Sequence, residues 1–564
     1  MIEGFRRFSR HVFSALVGVA LIFSSLPLTG SCAESRADVA TTATKAVITT
    51  AAASAAPPAT TPAVARAVSP SSIARHATNS AAHSAAPAAE RTFMQFDLNI
   101  PGVTHEMLTS AFWVSRIPDP DQVIMSPEEI ERYNRKNLRE CKPLHDLRTF
   151  RKIIAGKEIR KLIGKVSARP HQRGYLEGIE VPDAYYDELD KTLGIASVPE
   201  NVIIRFGITV KRTEMRTFPS FDRVFSEPDD YEFDRFIETA LYPVEPLAIL
   251  HESTDGKWFF AQALNYLAWV PARDVALADR QALFSYLDAK DFLVVTGKGV
   301  FTGYNPIQPE ISELQLDMGV RVPLAMREEI PPEICGQHPA GNYVIKLPAR
   351  GQWGKLVFRL GLISRSDDVH IGYLPLTRRN LIVQAFKFLG QRYGWGGMFN
   401  TRDCSAFIMD NFRSMGVQLP RNAGEQGKLA LGVTHELPKA LDLEARKRLF
   451  DGLPPATPIY MDGHAMLYLW KNEDDYFIIH DFASFSAPDE SGALKRSKTR
   501  GVLVTPLLGT FLSNKKSYRG HLCRPGVSAL GVEPRRLPRN TQTFGGNFVT
   551  SQKRGARAPL RLAK

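Results

Sequence analysis

Residues 393–426, YGWGGMFNTRDCSAFIMDNFRSMGVQLPRNAGEQ, join a glycine-rich segment to an amphipathic one. The glycine-rich part, WGGMFNTRD, is expected to be a loop. After it, apolar residues recur at helical spacing up to Gly416, which ends the predicted helix; they are Phe407, Ile408, Phe412 and Met415. Cys404 is therefore predicted on the first turn of a helix, where the positive end of the helix dipole favours a thiolate. A thiolate at that position is a candidate nucleophile.

Two histidines further along the chain could accept the thiol proton. His464 lies in DGHAMLYLW and His480 in YFIIHDF, two apolar segments separated by the turn-like sequence KNEDD. Adjacent antiparallel strands would bring the two imidazoles together, so that one faces the thiol and the other orients it. Histidines also occur on buried strands without any such role. The combination with a cysteine at a helix start favours the catalytic interpretation.

These motifs, in this order, resemble the NlpC family of papain-like cell-wall cysteine peptidases: YGWGG, DCS, LPRNAGEQ, GHAMLYL and the downstream histidine. The resemblance spans residues 377–525 and implies cleavage of the γ-D-glutamyl–diamino acid bond in peptidoglycan stem peptides. It implies that Cys404, His464 and His480 are catalytic, and that Tyr393 lines the active site near the oxyanion. The segment before His464 departs from the family, because it reads Pro458-Ile459-Tyr460-Met461 where Gly-Asp-Leu is usual.

Residues 200–280 switch to the alternating pattern of β-strands, with Thr254-Asp255-Gly256 as a hairpin turn. The strings S-x-D-G-K-W and A-W-V-P resemble bacterial SH3 domains, and residues 286–376 repeat the theme weakly. In relatives with this domain order, the first SH3 domain closes one end of the cleft, and the substrate needs a free N-terminal L-Ala amine. The resemblance implies that Asp403, Ser405, Tyr266 and Asp234 bind this amine, with Glu232 as the alternative to Asp234.

The chain ends differ from the rest in composition. Three arginines precede an apolar run at residues 12–28, as in an export signal, although an uncleaved anchor is an alternative. Cleavage could be of the ordinary type or of the lipoprotein type that leaves Cys32 lipidated at the cell envelope.

The formal charge of the chain is +12, and residues 526–564 supply +7 of it, from eight cations and one carboxylate. This tail could bind anionic envelope polymers, and no nucleic-acid partner is expected.

The predicted fold class is α+β, with a papain-like catalytic domain, two small SH3-like barrels and an N-terminal helical domain. The predicted boundaries are a signal at 1–33, an Ala/Ser/Thr/Pro-rich linker at 34–90, the helical domain at 91–190, barrels at 191–285 and 286–376, the peptidase at 377–525 and a disordered basic tail at 526–564. The sequence has no CxxC or HExxH motif, so neither a metal nor another cofactor is expected. A monomer in the periplasm or envelope is expected. Amidase or acyltransferase chemistry on the same fold, and a non-catalytic wall-binding protein, remain alternatives.

Overall fold

The computed structural model describes residues 97–429, 433–435, 442–461, 463–488, 491–508, 511–513, 516–517 and 527–529. The predicted export signal, the linker, Cys32, Cys523 and nearly all of the basic tail lie outside these residues. Within the described ranges, no helix combines the length and apolar character needed to cross a bilayer. Cys141, Cys335 and Cys404 are free thiols.

The carboxy-terminal segment is a sheet covered by helices. Its elements are β21 (Leu376–Thr377), α6 (Arg378–Phe386), α7 (Cys404–Arg413), α8 (Ala423–Gln426), β22 (Val433–His435), α9 (Leu443–Gly452), β23 (Pro458–Met461), β24 (His464–Asn472), β25 (Asp475–Pro488), β26 (Leu494–Pro506), β27 (Phe511–Ser513), β28 (Lys516–Ser517) and β29 (Val527–Ala529). The sheet order is β22-β29-β23-β24-β25-β27-β28, with β26 also paired to β25. The sheet therefore extends four residues past the predicted boundary at 525, to Ala529.

Helices α6 and α7 bury one apolar face against this sheet. The shared core includes Phe388, Phe407, Ile408, Phe412, Leu467, Ile479 and Val504, all at most 1% exposed. Helix α7 begins at Cys404, and Gly416 follows its end with φ +83°. The helix start predicted from local spacing is therefore confirmed.

The first strand-rich region comprises β5 (Asn201–Ile203), β6 (Arg205–Thr209), β7 (Thr213–Arg216), β8 (Val224–Phe225), β9 (Ile237–Leu241), β10 (Pro246–Glu252), β11 (Trp258–Gln262), β12 (Leu267–Pro271), β13 (Val275–Ala278) and α5 (Arg280–Leu287). Seven of these strands form one antiparallel sheet in the order β13-β6-β10-β11-β12-β7-β9, whereas β5 and β8 pair with strands of the amino-terminal part. The hairpin predicted at Thr254-Asp255-Gly256 joins β10 to β11, and Gly256 adopts φ +67°. Trp258 and Trp269 are core residues, 2% and 0% exposed.

The second strand-rich region consists of separate small sheets. Its strands are β14 (Phe292–Val295), β15 (Gly299–Phe301), β16 (Gln315–Asp317), β17 (Arg321–Pro323), β18 (Asn342–Arg350), β19 (Leu356–Ser364) and β20 (Val369–Ile371). They form one three-stranded sheet, β17-β14-β20, and the two hairpins β15-β16 and β18-β19. The second SH3-like barrel stays a prediction, because the strands do not join into one hydrogen-bonded sheet.

The amino-terminal helices have no core of their own. This part contains α1 (Ser110–Val114), β1 (Val123–Met125), α2 (Pro127–Glu140), β2 (Ile153–Ala155), α3 (Gly156–Val166), β3 (Tyr175–Leu176), β4 (Ile179–Glu180) and α4 (Asp183–Thr192). Helix α2 begins with a capping box between Ser126 and Glu129. Trp113 of α1 packs in the core of the carboxy-terminal segment, whereas Ile163 of α3 packs in that of the first strand-rich region. Such short helices are stable only when their apolar faces pack against larger elements, and the separate helical domain at 91–190 stays a prediction.

Candidate active site

The Cys404 thiol lies between the helix start and the beginning of β24. Asp403 caps α7, because its carboxylate accepts the Ala406 N–H at 3.0 Å. The Cys404 Sγ–H donates to the Gly463 carbonyl oxygen at 4.0 Å, and the backbone N–H of Ala465 lies close enough to lower the pKa of the thiol. The residues on both sides of His464 therefore lie beside the thiol, and this places the backbone of His464 near Cys404.

The two predicted histidines meet across β24 and β25. His464 Nε2 and His480 Nδ1 share a hydrogen bond of 2.8 Å, and His480 Nε2 lies 2.9 Å from Thr505 Oγ1. The His480 ring stacks on Phe482 with centroids 3.8 Å apart. His480 is fully buried and held on three sides, so it can fix the ring orientation of His464.

Burial determines the resting protonation of this group. It raises the pKa of the Cys404 thiol to about 12, and the Asp403 carboxylate acts in the same direction. Burial also lowers the pKa of His464 to about 4. The resting pair is thus a neutral thiol and a neutral imidazole. Burial thus opposes the thiolate that the helix start favours, because a charged sulfur loses its hydration there.

Tyr393 lies beside the thiol, where the resemblance implied it. Its backbone N–H donates to the Arg500 carbonyl at 2.9 Å, which ties the segment before the glycine-rich loop to β26. Burial raises the pKa of the Tyr393 hydroxyl, and negative charge at Cys404 and Asp403 would raise it further. The hydroxyl is therefore a neutral hydrogen-bond donor near the sulfur.

The glycine-rich loop before Cys404 packs directly against the first strand-rich region. Gly397 adopts φ +98°, and a Cβ there would lie 2.5 Å from the Cβ of Ala240 in β9. Arg212 donates to the carbonyls of Gly397 and Thr401 at 3.1 and 2.7 Å. This region therefore forms one wall beside the nucleophile.

Asp403 and Ser405, which flank the nucleophile, are both bound to Arg421. The guanidinium donates to the two Asp403 carboxylate oxygens at 3.0 and 2.6 Å and to Ser405 Oγ at 2.8 Å. Arg421 Nε also donates to Thr239 Oγ1 of β9 at 2.6 Å. Sequence reasoning included this arginine in a motif but gave it no role, since its partners are distant in the chain.

Tyr266 pairs with Glu238, and not with Asp234. The Tyr266 hydroxyl donates to Glu238 Oε2, and Thr217 Oγ1 donates to Glu238 Oε1 at 2.6 Å. Glu238 and Tyr266 line a cavity of about 790 Å³ together with Asn422 and Glu425. The alternating pattern of β9 could have identified Glu238 from the sequence, because Glu238 points away from the buried face formed by Ile237 and Leu241.

Asp234 and Glu232 have structural partners. The Asp234 side chain is fully buried, forms an ion pair of 2.9 Å with Arg216 and accepts the Phe236 N–H at 2.9 Å. Glu232 forms ion pairs with Arg392 and Arg500. Neither carboxylate lines the cavity beside Tyr266. The structure therefore does not favour the amine-binding role expected for Asp234, and the carboxylate beside Tyr266 is that of Glu238.

Asp481, directly after His480, is a further buried carboxylate that sequence reasoning missed. It is 0% exposed, and neither oxygen has a hydrogen-bond partner among the described residues. Burial raises the pKa of Asp481 well above its usual range, while Arg402 acts against this shift. A negative charge on Asp481 would also raise the pKa of Cys404, so the Asp481 carboxyl lies close to the thiol.

Comparisons with known proteins agree with this geometry. Residues 390–500 match the NlpC/P60 family, and residues 219–271 match the SH3 domain of the SH3b1 type. The chain contains an NlpC/P60 domain preceded by an SH3 domain. Members of the NlpC/P60 family are cysteine peptidases that act on peptidoglycan.

One relative and two solved structures are similar to parts of this chain. The γ-D-glutamyl-L-lysine dipeptidyl-peptidase of Bacillus subtilis (strain 168) is 36% identical over 88 residues, which are 15% of this chain and 30% of that protein. The NlpC/P60 endopeptidase of Photobacterium damselae subsp. piscicida is 17% identical with a TM-score of 0.59, over 74% of this chain and 96% of that one. An NlpC/P60 family protein of Bacillus cereus ATCC 10987 is 17% identical with a TM-score of 0.35, over 52% and 83%. The Photobacterium structure shows that the fold of the NlpC/P60 domain and its preceding segments is shared.

Proposed function

We propose that this chain is a γ-D-glutamyl–diamino acid endopeptidase that cleaves peptidoglycan stem peptides at the cell envelope. The observation that carries the proposal is the position of the Cys404 sulfur beside the residues on both sides of His464, while His464 is hydrogen-bonded to His480 at 2.8 Å. A nucleophile, a base and an orienting group thereby occupy one buried site. The name of the Bacillus relative, which specifies a γ-D-glutamyl bond, supports this choice of bond.

The hydrogen-bond chain defines the proton path. If His480 Nε2–H donates to Thr505, His480 Nδ1 accepts from His464 Nε2–H, and His464 Nδ1 is the base. As the substrate displaces water, the thiol proton moves to Nδ1 and the sulfur attacks the amide carbon. The oxyanion is stabilised by the Cys404 N–H and the Tyr393 hydroxyl.

Collapse of this intermediate breaks the C–N bond and transfers the proton from His464 to the leaving diamino acid nitrogen. The resulting thioester is then attacked by water. His464 takes the proton of this water and returns it to the departing sulfur, which restores the neutral pair.

Recognition of a free substrate amine is assigned to the Glu238–Tyr266 pair. Glu238 is one of four half-buried carboxylates on the cavity wall, and it is the one that accepts the Tyr266 hydroxyl. The residue after it, Thr239, is bonded to Arg421, which holds both neighbours of Cys404. An ammonium group against Glu238 would form a charge-assisted hydrogen bond that an acetylated nitrogen cannot form.

The test is incubation of the full chain with L-Ala-γ-D-Glu-diaminopimelate, its N-acetylated form and insoluble peptidoglycan, with products identified by mass spectrometry. Release of the diamino acid from the free-amine peptide by wild type, and none by Cys404→Ala, is the expected result. Cleavage of all three substrates would support the peptidase activity but reject the requirement for a free substrate amine. Release of an intact stem peptide from peptidoglycan would identify an amidase instead, and no release at all would favour the binding-protein alternative.

A further inference from the structure

A second concave surface lies away from the thiol. It is a groove of about 1230 Å³ between the edge of the first strand-rich region and the tip of the β18–β19 hairpin. Strands β6 and β13 and helix α5 form its floor, and Trp353 and Phe358 stand on the hairpin side. None of the lining residues belongs to the NlpC/P60 domain, so the groove is separate from the site described above.

Trp353 is placed at the hairpin tip in a conformation that large side chains rarely adopt. Its backbone has φ +59° and ψ 22°, and its side chain is 82% exposed. A left-handed backbone at a residue other than glycine costs about 1–3 kcal/mol and persists where the surrounding structure enforces it. The strained conformation does not bury the indole, and no aromatic ring among the described residues stacks on it. The turn instead presents a flat apolar surface at the entrance of the groove.

The groove carries an excess of positive charge. Its lining includes five cations, Arg148, Lys152, Arg205, Arg280 and Lys355, against the two carboxylates Asp279 and Asp288, which gives a difference of +3. Arg148 pairs with Asp288, and Arg205 pairs with Glu252 outside the groove. Lys152 and Lys355 form no ion pair with a described residue. Two ammonium groups are thereby available to an anionic ligand.

We propose that this groove binds a strand of peptidoglycan, with a sugar ring stacked on Trp353 and stem-peptide carboxylates paired with Lys152 and Lys355. The apolar C–H face of a pyranose packs well against an indole, and the carboxylates complement the charge of the groove. A concave groove matches a strand better than the flat surface of an anionic membrane. The proposal rests on the proposed function for the identity of the polymer. Binding here would raise the local concentration of stem peptides around the thiol.

The test is co-sedimentation of the full chain, carrying Cys404→Ala to prevent digestion, with insoluble peptidoglycan. Trp353→Ala and the double change Lys152→Ala/Lys355→Ala should each weaken binding roughly tenfold. The double change should also reduce the salt dependence of binding, because exposed charges are screened by salt. Matched controls are Tyr304→Ala, at a side chain 71% exposed in the same region, and Lys290→Ala, at an exposed lysine; neither should alter binding.

Equal binding by the Trp353 and Tyr304 variants would overturn the proposal. So would loss of binding to phosphatidylglycerol vesicles with wall binding unchanged, because that result would identify a membrane surface. Cleavage of the soluble tripeptide by the same variants, with Cys404 restored, separates the two proposals. If the otherwise wild-type chain does not cleave the tripeptide, the proposed peptidase activity is rejected. Sedimentation that depends on Trp353 would still support the proposal that the groove binds peptidoglycan.

Discussion

Asp317, in the second strand-rich region, forms an ion pair with Arg402, two residues before the candidate nucleophile. The Nη2–Oδ1 distance is 3.3 Å, and both side chains are fully buried. Arg402 also pairs with Asp410 of α7 at 3.1 Å, and Asp317 with Arg212 at 3.2 Å. A carboxylate from outside the NlpC/P60 domain therefore neutralises the two guanidinium groups that hold the loop leading to Cys404.

Asp317→Asn should lower both stability and activity. Removing one partner of a buried ion pair leaves an uncompensated charge, which costs about 3–5 kcal/mol. Urea unfolding and kcat on the tripeptide measure the two effects. Asp121→Asn, which breaks an exposed ion pair with Arg379, is the control and should change neither. A wild-type unfolding midpoint in Asp317→Asn would contradict this account.

The pH at which activity is lost on the acid side should be unusually low. His464 must be neutral to accept the thiol proton, and burial lowers its pKa to about 4. The kcat/KM of the free enzyme should therefore stay constant as pH falls to about 5 and decline through about 4. Circular dichroism at each pH controls for unfolding. A decline centred near 6.5, the ordinary histidine value, would show that the base is solvated.

Glu238→Gln should alter selectivity without altering stability. Loss of a charge-assisted hydrogen bond of about 1.5–3 kcal/mol should reduce kcat/KM for the free-amine tripeptide roughly 10- to 100-fold. Cleavage of the N-acetylated peptide should not fall further. Asp234→Asn is the matched comparison: it breaks the buried pair with Arg216 and should destabilise the chain while leaving the substrate preference unchanged. The reverse pattern would restore Asp234 as the amine acceptor.

Asp481 should make stability depend on pH. An unfolded aspartate ionises near 3.9, whereas burial raises the pKa of Asp481 well above that value in the folded chain. The folded state then binds more protons, so stability decreases as pH rises from the unfolded value toward the folded one. The charged or titratable groups that shift this carboxyl or are shifted by it are Arg402, Asp403, Cys404 and Tyr393.

Asp481→Asn removes this dependence. Its free energy of unfolding should match that of wild type near pH 4 and exceed it by about 1.4 kcal/mol for each further pH unit, up to the folded pKa. Urea titrations at pH 4 and pH 7 measure the difference. Parallel pH dependences in the two proteins would show that Asp481 ionises normally.

Local sequence was sufficient to predict several elements correctly. The start of α7 at Cys404 and the hairpin at Gly256 each depend on residues within a few positions of one another. The pairing of the strands that carry His464 and His480 also followed from a short turn between two apolar segments. Helix spacing, capping and tight turns are local effects, so they can be predicted without knowing the fold.

The tertiary structure alone decided the rest. Tyr266 donates a hydrogen bond to Glu238, Asp403 forms an ion pair with Arg421, and the amino-terminal helices pack in two different cores. The tertiary structure also buries Cys404, which raises the pKa of the thiol and opposes the charge that a helix start favours. Ion pairs and desolvation depend on which distant residues meet and on how much water they exclude. The sequence by itself thus determined which groups could react, and the packing of distant segments determined their partners and their protonation.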